Sequence, residues 1–198
     1  MKNDAQTVGS FLPAIESPAR RFGPKREIHR NPFESVYAVR AEFDEHIKEY
    51  YVVEFGQRAA VVIARDGMLM LTAQYRFLAD KVIWEIPGGS VDAGESPIDA
   101  AHRECLEETG FRCPDMEPLV NFRPGLDNAD NLTHLFYSEN PEQVRDFVAT
   151  PDEVLDIAWV PLEYCLTLIL AGEMPDCVSA AAIMTYEIMT RRRSADES

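Results

Sequence analysis

Three glutamates lie close together in a segment whose pattern predicts a helix: Glu104 stands three residues before Glu107 and four before Glu108. Side chains at these spacings are neighbours on one helix face, and each like-charge contact destabilises the helix by about a few tenths of a kcal/mol. The face therefore requires a cation. Carboxylate oxygens without cysteine or histidine ligands favour Mg²⁺ or Mn²⁺, which leave coordination positions for water and substrate phosphates.

Signals at both ends predict that this helix is held firmly. Ser96 is a favoured capping residue, Pro97 occupies the first helical position, and Asp99 completes a Ser-x-x-Asp capping pattern. Gly110 supplies the left-handed residue that commonly closes a helix. Apolar side chains such as Cys105 project away from the glutamates, so the pattern predicts a buried face opposite the acidic one.

The segment resembles the Nudix box, in which a glycine and a glutamate precede an Arg-Glu-x-x-Glu-Glu-x-Gly helix end. Every fixed position is matched: Gly89, Glu95, Arg103, Glu104, Glu107, Glu108, Gly110 and Phe111. Cys105 stands where the family usually has an aliphatic residue, and its small apolar side chain suits the same packing. A solvated acidic helix is the alternative interpretation, which the number of simultaneous matches disfavours.

The resemblance implies a metal-dependent hydrolase with an α/β/α sandwich built on a mixed sheet. It also implies four metal ligands: Gly88 through its backbone carbonyl, Glu104, Glu107 and Glu108. Glu107 would bind or orient a second ion. Arg103 would pair with the carboxylates and position them, Glu95 among them, so we include Arg103, Glu95 and Glu107 in the catalytic set.

Further motifs resemble the ADP-ribose pyrophosphatase branch of the family. They are Gln74–Arg76, Trp84–Gly89, Arg123–Gly125 followed by His134–Phe136, Trp159–Leu162 and Gly172–Asp176. Each motif is weak alone, but their order and spacing support one another. The branch implies hydrolysis of ADP-ribose or a related nucleoside diphosphate sugar to a nucleoside monophosphate and a sugar phosphate.

Three residues outside the box are candidates for substrate binding. Arg76 ends a predicted strand before the box, where its guanidinium could bind phosphate or ribose; a surface ion pair is an equal alternative. Glu85 interrupts an apolar strand and requires a partner if buried, which Arg76 or a polar group of the substrate could provide. Gly125, which begins the polar loop after Pro124, completes the set.

The base that activates water is harder to place, because the resemblance implies a glutamate on the loop after the Pro-Gly pair. Residues 125–134 contain no glutamate. Asp130 is the first candidate, Asp127 the second, and Glu107 in the helix the third. A shorter base also suits a different sugar diphosphate, such as GDP-mannose.

The composition is that of a small enzyme. The chain has 198 residues, 46% of them hydrophobic, enough for one substantial core with an extension. Its net charge of -15 opposes binding to a nucleic-acid backbone. The sequence has neither a signal peptide nor a long apolar segment, and its four cysteines lack metal-binding spacing. We therefore expect no membrane partner, reduced thiols and a cytoplasmic location.

The order of predicted elements divides the chain into four parts. Residues 1–33 are expected to form an irregular arm, residues 34–56 an antiparallel strand extension, residues 57–193 the Nudix domain and residues 194–198 a tail. In the ADP-ribose branch, similar N-terminal strands exchange between subunits. We therefore expect a homodimer that forms through the strand extension.

Within the domain, strands are predicted before and after the box, at residues 58–64, 68–72, 119–122, 132–137 and 154–160. Residues 141–146 are expected to form a short helix or a loop. Two helices close the domain, one over residues 162–170 and one that begins at the capping residue Asp176. Strands on both sides of a central helix, followed by terminal helices, indicate a sheet covered by helices.

Three functions fit these observations. The first is hydrolysis of ADP-ribose or a related nucleotide sugar with Mg²⁺ or Mn²⁺. The second is hydrolysis of another nucleoside diphosphate derivative, such as GDP-mannose, a dinucleotide or a nucleoside triphosphate. The third is a binding module that keeps the fold without catalysis. The N-terminal strands favour the first, and the complete set of box carboxylates disfavours the third.

Overall fold

The computed structural model describes residues 15–196, which divide into two compact units between Glu54 and Phe55. The first unit is an antiparallel sheet of four strands in its described part. They are β1 (Arg21–Phe22), β2 (Arg26–Arg30), β3 (Ser35–Glu42) and β4 (Ile47–Glu54). β3 pairs with each of the other three. The hairpin expected within residues 34–56 is thus formed by β3 and β4.

The strands β1 and β2 correct the prediction of an irregular arm over residues 1–33. All five side chains of β2 are exposed, so this strand has no apolar alternation that could be detected in the sequence. Its backbone pairing with β3 holds it in place. Residues 1–14 of the predicted arm lie outside the described residues.

The second unit carries the remaining described elements. Its strands are β5 (Arg58–Arg65), β6 (Met68–Arg76), β7 (Lys81–Glu85), β8 (Gly88–Ser90), β9 (Phe111–Arg112), β10 (Glu117–Phe122), β11 (Ala129–Asp130), β12 (Thr133–Ser138), β13 (Glu142–Gln143) and β14 (Asp156–Pro161). Its helices are α1 (Pro97–Thr109), α2 (Leu162–Ala171) and α3 (Cys177–Asp196). The main sheet has the order β10, β12, β5, β6, β14, and only the β12–β5 pair among these neighbours is parallel. β7 pairs with β6, and β8 pairs with β5.

β5 shows how one sheet supports two helical layers. Its side chains alternate between the two faces, as they do in any strand. Val61 and Ile63 belong to the cluster that includes Cys105 of α1. Val62 belongs to the cluster that includes Ile183 of α3. This arrangement confirms the predicted α/β/α sandwich on a mixed sheet.

Two local predictions for the second unit need correction. Residues 141–146 contain the short strand β13, which pairs with β9, rather than a helix. The predicted tail at residues 194–198 is helical as far as Asp196, because α3 continues to that residue, and residues 197–198 lie outside the described part. Both terminal helices are present, and Asp176 caps α3 by accepting the Ser179 N–H at 2.7 Å. Within residues 15–196, no helix has the length and apolar character needed to cross a membrane.

Candidate active site

Helix α1 is fixed at both ends as its sequence predicts. The Ser96 side chain accepts the backbone N–H of Asp99 at the start of the helix. At the other end Gly110 has a φ of 77° and donates its N–H to Leu106. The last turn contains no basic residue, but Arg145 donates to the backbone carbonyls of Leu106 and Glu107, at 2.8 and 3.2 Å. The helix therefore holds its acidic face in a defined position.

Arg103 links two carboxylates of this face and a third, Glu95, from the turn that precedes α1. Its guanidinium donates twice to Glu95, with both distances at 3.0 Å. It also donates to Glu104 at 2.7 Å and to Glu107 at 3.2 Å. These contacts raise the pKa of Arg103 and lower that of Glu95. One guanidinium cannot neutralise three carboxylates, so the group keeps a net negative charge.

Glu108 has a different environment. Its carboxylate accepts the side-chain amide of Gln74 at 2.8 Å and the backbone N–H of Gly88 at 2.9 Å. Burial, together with the charge of Glu104, raises the pKa of Glu108 to about 7, because both disfavour the ionised form. Burial also raises the pKa of Glu104. A bound cation would offset both costs.

The strand β8 passes so close to β5 on one side and to α1 on the other that it requires glycine at two positions. A Cβ atom on Gly89 would collide with the Glu104 carboxylate, and one on Gly88 would lie 2.5 Å from the carbonyl oxygen of Ala59. The backbone next to the acidic face can therefore approach Glu104 directly. Gly88 itself contacts the helix through its backbone N–H, which donates to Glu108 at 2.9 Å.

These side chains line a cavity of about 330 Å³, which we call the acidic cavity. Its carboxylates are Glu104, Glu107, Glu108, Asp152 and Glu153, and its guanidiniums are Arg58, Arg76 and Arg103. Five carboxylates thus face three cations. The excess of negative charge favours a bound metal ion.

The donor set of the acidic cavity fits Mg²⁺ or Mn²⁺. Within residues 15–196, no three carboxylates, histidines or cysteines converge closely enough to hold a metal by themselves. Mg²⁺ does not need such a cage, because it usually binds one or two carboxylates and keeps water or phosphate oxygens in the other positions. Glu104 and Glu108 could supply two such carboxylates, and the cavity has room for the remaining ligands.

A second cavity of about 510 Å³, which we call the apolar-walled cavity, adjoins the same strands. Its apolar lining includes Ile83, Ile86, Pro124, Pro175 and Val178. Arg58, Arg76 and Gly88 line this cavity as well as the acidic one. The volume lies in the range typical of small-molecule sites. The guanidiniums of Arg58 and Arg76 lie where the two cavities meet.

Arg76 and Glu85 form an ion pair in the wall of the apolar-walled cavity. The Arg76 Nε donates to one carboxylate oxygen of Glu85 at 2.8 Å, and a terminal nitrogen donates to the other. Glu85 is only 6% exposed, and its hydrogen bonds raise the pKa of Arg76. The partner expected for a buried Glu85 is therefore Arg76. Arg58, in contrast, has no ion pair within residues 15–196.

The structure does not bring all predicted site residues together. Asp130 pairs with Arg123 at 2.6 Å, and neither Asp130, Asp127 nor Gly125 is among the residues that line the two cavities. The Pro-Gly turn contributes Pro124 instead.

Sequence reasoning missed three charged residues that line the acidic cavity, Arg58, Asp152 and Glu153. Asp152 and Glu153 follow Pro151 in a turn in which Glu153 donates its backbone N–H to Thr150 at 3.1 Å. Two features of the sequence could have indicated these residues. One is the acidic pair in a proline-containing turn, and the other is the charged Arg58 at the start of an apolar strand.

Comparisons with known proteins agree with this geometry. A model of the NUDIX domain family matches residues 55–176. The chain is 29% identical over 134 residues to the methanol dehydrogenase activator of Bacillus methanolicus, covering 67% of this chain and 72% of that protein. It is 29% identical over 136 residues to the ADP-ribose pyrophosphatase of Bacillus subtilis, with the same coverages of 67% and 72%. A crystal structure of an ADP compounds hydrolase shares the fold, with a TM-score of 0.76, 17% identity and coverage of 91% of this chain and 97% of that chain.

Proposed function

We propose that this chain, which belongs to the Nudix hydrolase family, cleaves the diphosphate linkage of ADP-ribose or a related nucleoside diphosphate sugar. The products would be a nucleoside monophosphate and a sugar phosphate. The observation that carries the proposal is that an acidic cavity and an apolar-walled cavity meet at Arg58 and Arg76. The similarity to an ADP-ribose pyrophosphatase supports the same substrate class.

Nudix hydrolases generally use divalent metal ions, and we assign the metal site to the acidic cavity. Glu104, Glu108 and the carbonyl of Gly88 would hold one Mg²⁺ or Mn²⁺, and Glu107 a second. The ions would neutralise phosphate oxygens and lower the pKa of water. Arg103 keeps Glu104 and Glu107 in position through its hydrogen bonds.

Arg58 and Arg76 are the groups best placed to bind the diphosphate. A guanidinium matches phosphate oxygens through paired N–H donors, and Arg58 has no competing ion pair within the described chain. Glu85 orients Arg76 from the wall of the apolar-walled cavity. The sugar or the base would then occupy this cavity, against side chains such as Ile83 and Val178.

We assign the base that activates water to a carboxylate of the acidic cavity. A base must come within about 3 Å of the proton that it removes, directly or through one water. Glu153, Asp152 and Glu107 line the cavity, with Glu153 as our first choice because the longer side chain of an exposed turn has the greater reach. Asp130 stays a prediction, and its ion pair with Arg123 makes it the weaker candidate.

The similarities to relatives do not select one substrate class. The chain is as similar to a protein named methanol dehydrogenase activator as to an ADP-ribose pyrophosphatase, at 29% identity in both cases. Another nucleoside diphosphate derivative, such as GDP-mannose, a dinucleotide or a nucleoside triphosphate, therefore remains the alternative. A binding module without catalysis is disfavoured because the acidic cavity keeps all three box glutamates.

The proposal is tested by a product-resolved hydrolysis screen with Mg²⁺ and with Mn²⁺. We expect ADP-ribose or another nucleotide sugar to give the highest kcat/KM, with a nucleoside monophosphate and a sugar phosphate as products. Glu108→Gln serves as the inactive control. If wild-type protein turns over dinucleotides or triphosphates best, the alternative is correct, and hydrolysis of none of these compounds would contradict both.

We also propose that the chain forms a homodimer through residues 34–56. Large apolar side chains are exposed within this range, among them Ile47 at 64% and Tyr51 at 57%. Such side chains suggest an interface with a second subunit. We expect sedimentation to show a dimer at micromolar concentration and Ile47→Lys with Tyr51→Lys to weaken it. A wild-type monomer would contradict the proposal.

The four cysteines are free thiols within the described structure. Free thiols persist in reducing compartments. We therefore place the protein in the cytoplasm, which fractionation would test.

A further inference from the structure

Gln74 is a buried polar residue in the wall of the acidic cavity, with 7% of its surface exposed. It lies on β6, where residues Thr72, Gln74 and Arg76 share one face because strand side chains alternate. Its side-chain amide donates to the Oε1 of Glu108 at 2.8 Å. Gln74 thus reaches across the cavity from the sheet to helix α1.

The second oxygen of Glu108 is held from a different strand. The backbone N–H of Gly88, on β8, donates to Oε2 at 2.9 Å. Both oxygens of the carboxylate therefore have a donor, and neither donor carries a charge. Glu108 forms no salt bridge within residues 15–196 and interacts with the Arg76 guanidinium only at longer range, whereas Glu104 is paired with Arg103.

The chemistry of an amide explains why this arrangement differs from an ion pair. An arginine or lysine at position 74 would orient Glu108 but would also neutralise it and compete with a metal ion. A glutamine orients the carboxylate and leaves its charge available. An asparagine is one methylene shorter and would leave Glu108 without this donor.

The orientation of the Gln74 amide is itself supported. Its nitrogen lies 3.5 Å from the hydroxyl oxygen of Thr72, and that hydroxyl donates to the backbone carbonyl of Glu85 at 3.3 Å. These weaker contacts favour the rotamer in which the amide nitrogen faces Glu108. The position of the carboxylate is therefore determined by two strands of the rigid sheet rather than by a loop.

We propose that Gln74 is a positioning residue that orients Glu108 for a divalent metal ion. The inference rests on the proposed function, since it takes Glu108 as a metal ligand. Partners that orient metal ligands typically change metal affinity by about 10–100-fold when they are replaced. Loss of the Gln74 amide should therefore weaken metal binding by a factor in this range without removing any ligand.

The test measures Mn²⁺ binding by electron paramagnetic resonance, on the full chain without substrate. Gln74→Met keeps the length of the side chain and removes its donor, and Gln74→Asn keeps the amide but shortens its reach. We expect the Kd for Mn²⁺ to rise by about 10–100-fold in both variants. Gln57→Met is the matched control, because its side chain bonds to His134 and lines neither cavity.

A kinetic measurement separates positioning from general damage. High Mn²⁺ should restore most of the kcat of Gln74→Met, whereas the KM for substrate should change little. Wild-type Mn²⁺ affinity in both folded Gln74 variants would overturn the inference while leaving the proposed function intact. Unchanged binding in Glu108→Gln as well, or no binding by the wild-type chain, would instead overturn the metal assignment together with the inference.

Discussion

The acidic cavity and the apolar-walled cavity share Arg58 and Arg76 but differ in charge balance. In the acidic cavity, five carboxylates face the two shared arginines and Arg103. In the apolar-walled cavity, Glu85 and Asp176 balance the shared arginines, and the remaining wall is largely apolar. The same two cations therefore lie between an excess of negative charge on one side and a nearly neutral surface on the other.

This difference indicates which ligand each side selects. An excess of carboxylates is stabilised by added cations, so the acidic cavity would select metal ions and, through them, phosphate oxygens. A balanced, apolar wall selects by shape and a few hydrogen bonds. Changes in the first cavity should therefore alter catalysis most strongly, and changes in the second should alter binding and stability.

The largest effect is expected for Glu108→Gln, which removes one charge and preserves the shape of the side chain. We expect kcat to fall by roughly a hundredfold or more, because the variant loses a proposed metal ligand. Turnover at saturating substrate and limiting Mg²⁺ measures the effect. Glu142→Gln makes the same chemical change at an exposed position on β13 and should leave kcat unchanged. Near-normal turnover of Glu108→Gln at limiting metal would contradict the assignment.

The next prediction compares Glu153 with Asp130 as the base that activates water. Glu153→Gln should lower kcat by roughly 10²–10⁴-fold with a smaller change in KM, as expected for loss of a general base. Asp130→Asn should change kcat by only about a factor of a few, because Asp130 forms an exposed pair with Arg123. Steady-state kinetics on the best substrate compares them. The reverse order of effects would support the assignment made from the sequence.

Arg103 and Glu153 show which parts of the site can be predicted from the sequence and which cannot. The contact of Arg103 with Glu107 is predictable because the two residues stand four apart on one helix. The position of Glu153 depends instead on pairing between distant strands. β14 runs antiparallel to β6 with Asp156 opposite Ala73, so the turn that precedes β14 lies beside the end of β6. No local pattern in the sequence encodes that register.

The same reason explains the outcome for the rest of the fold. Apolar alternation and capping residues, which are local signals, predicted most strands and the helices, and the order of these elements together with the family resemblance implied the sandwich. β2 escaped prediction because all its side chains are exposed and only its pairing with β3 defines it. Arg58 was not predicted as a site residue, because only its position in the folded sheet brings it to both cavities.

A third change tests the boundary between the cavities. Arg58→Gln should lower kcat/KM by about 10–100-fold, because a charge-assisted hydrogen bond to phosphate contributes roughly 1.5–3 kcal/mol. Most of the loss should appear in KM if Arg58 binds the diphosphate equally in the ground state and the transition state. Arg112→Gln, at an exposed position on β9, controls for the change in net charge. Equal kcat/KM in both variants would remove Arg58 from the site.

The smallest effects concern stability without metal, and they should have opposite signs in the two cavities. Glu85→Gln should lower the free energy of unfolding by about 1–2 kcal/mol, because it leaves the Arg76 guanidinium without its buried partner. Glu108→Gln should raise it by about a few tenths of a kcal/mol, because it relieves repulsion from Glu104. Urea unfolding in EDTA at pH 8 measures both. If both variants shift stability in the same direction, charge balance does not distinguish the two cavities.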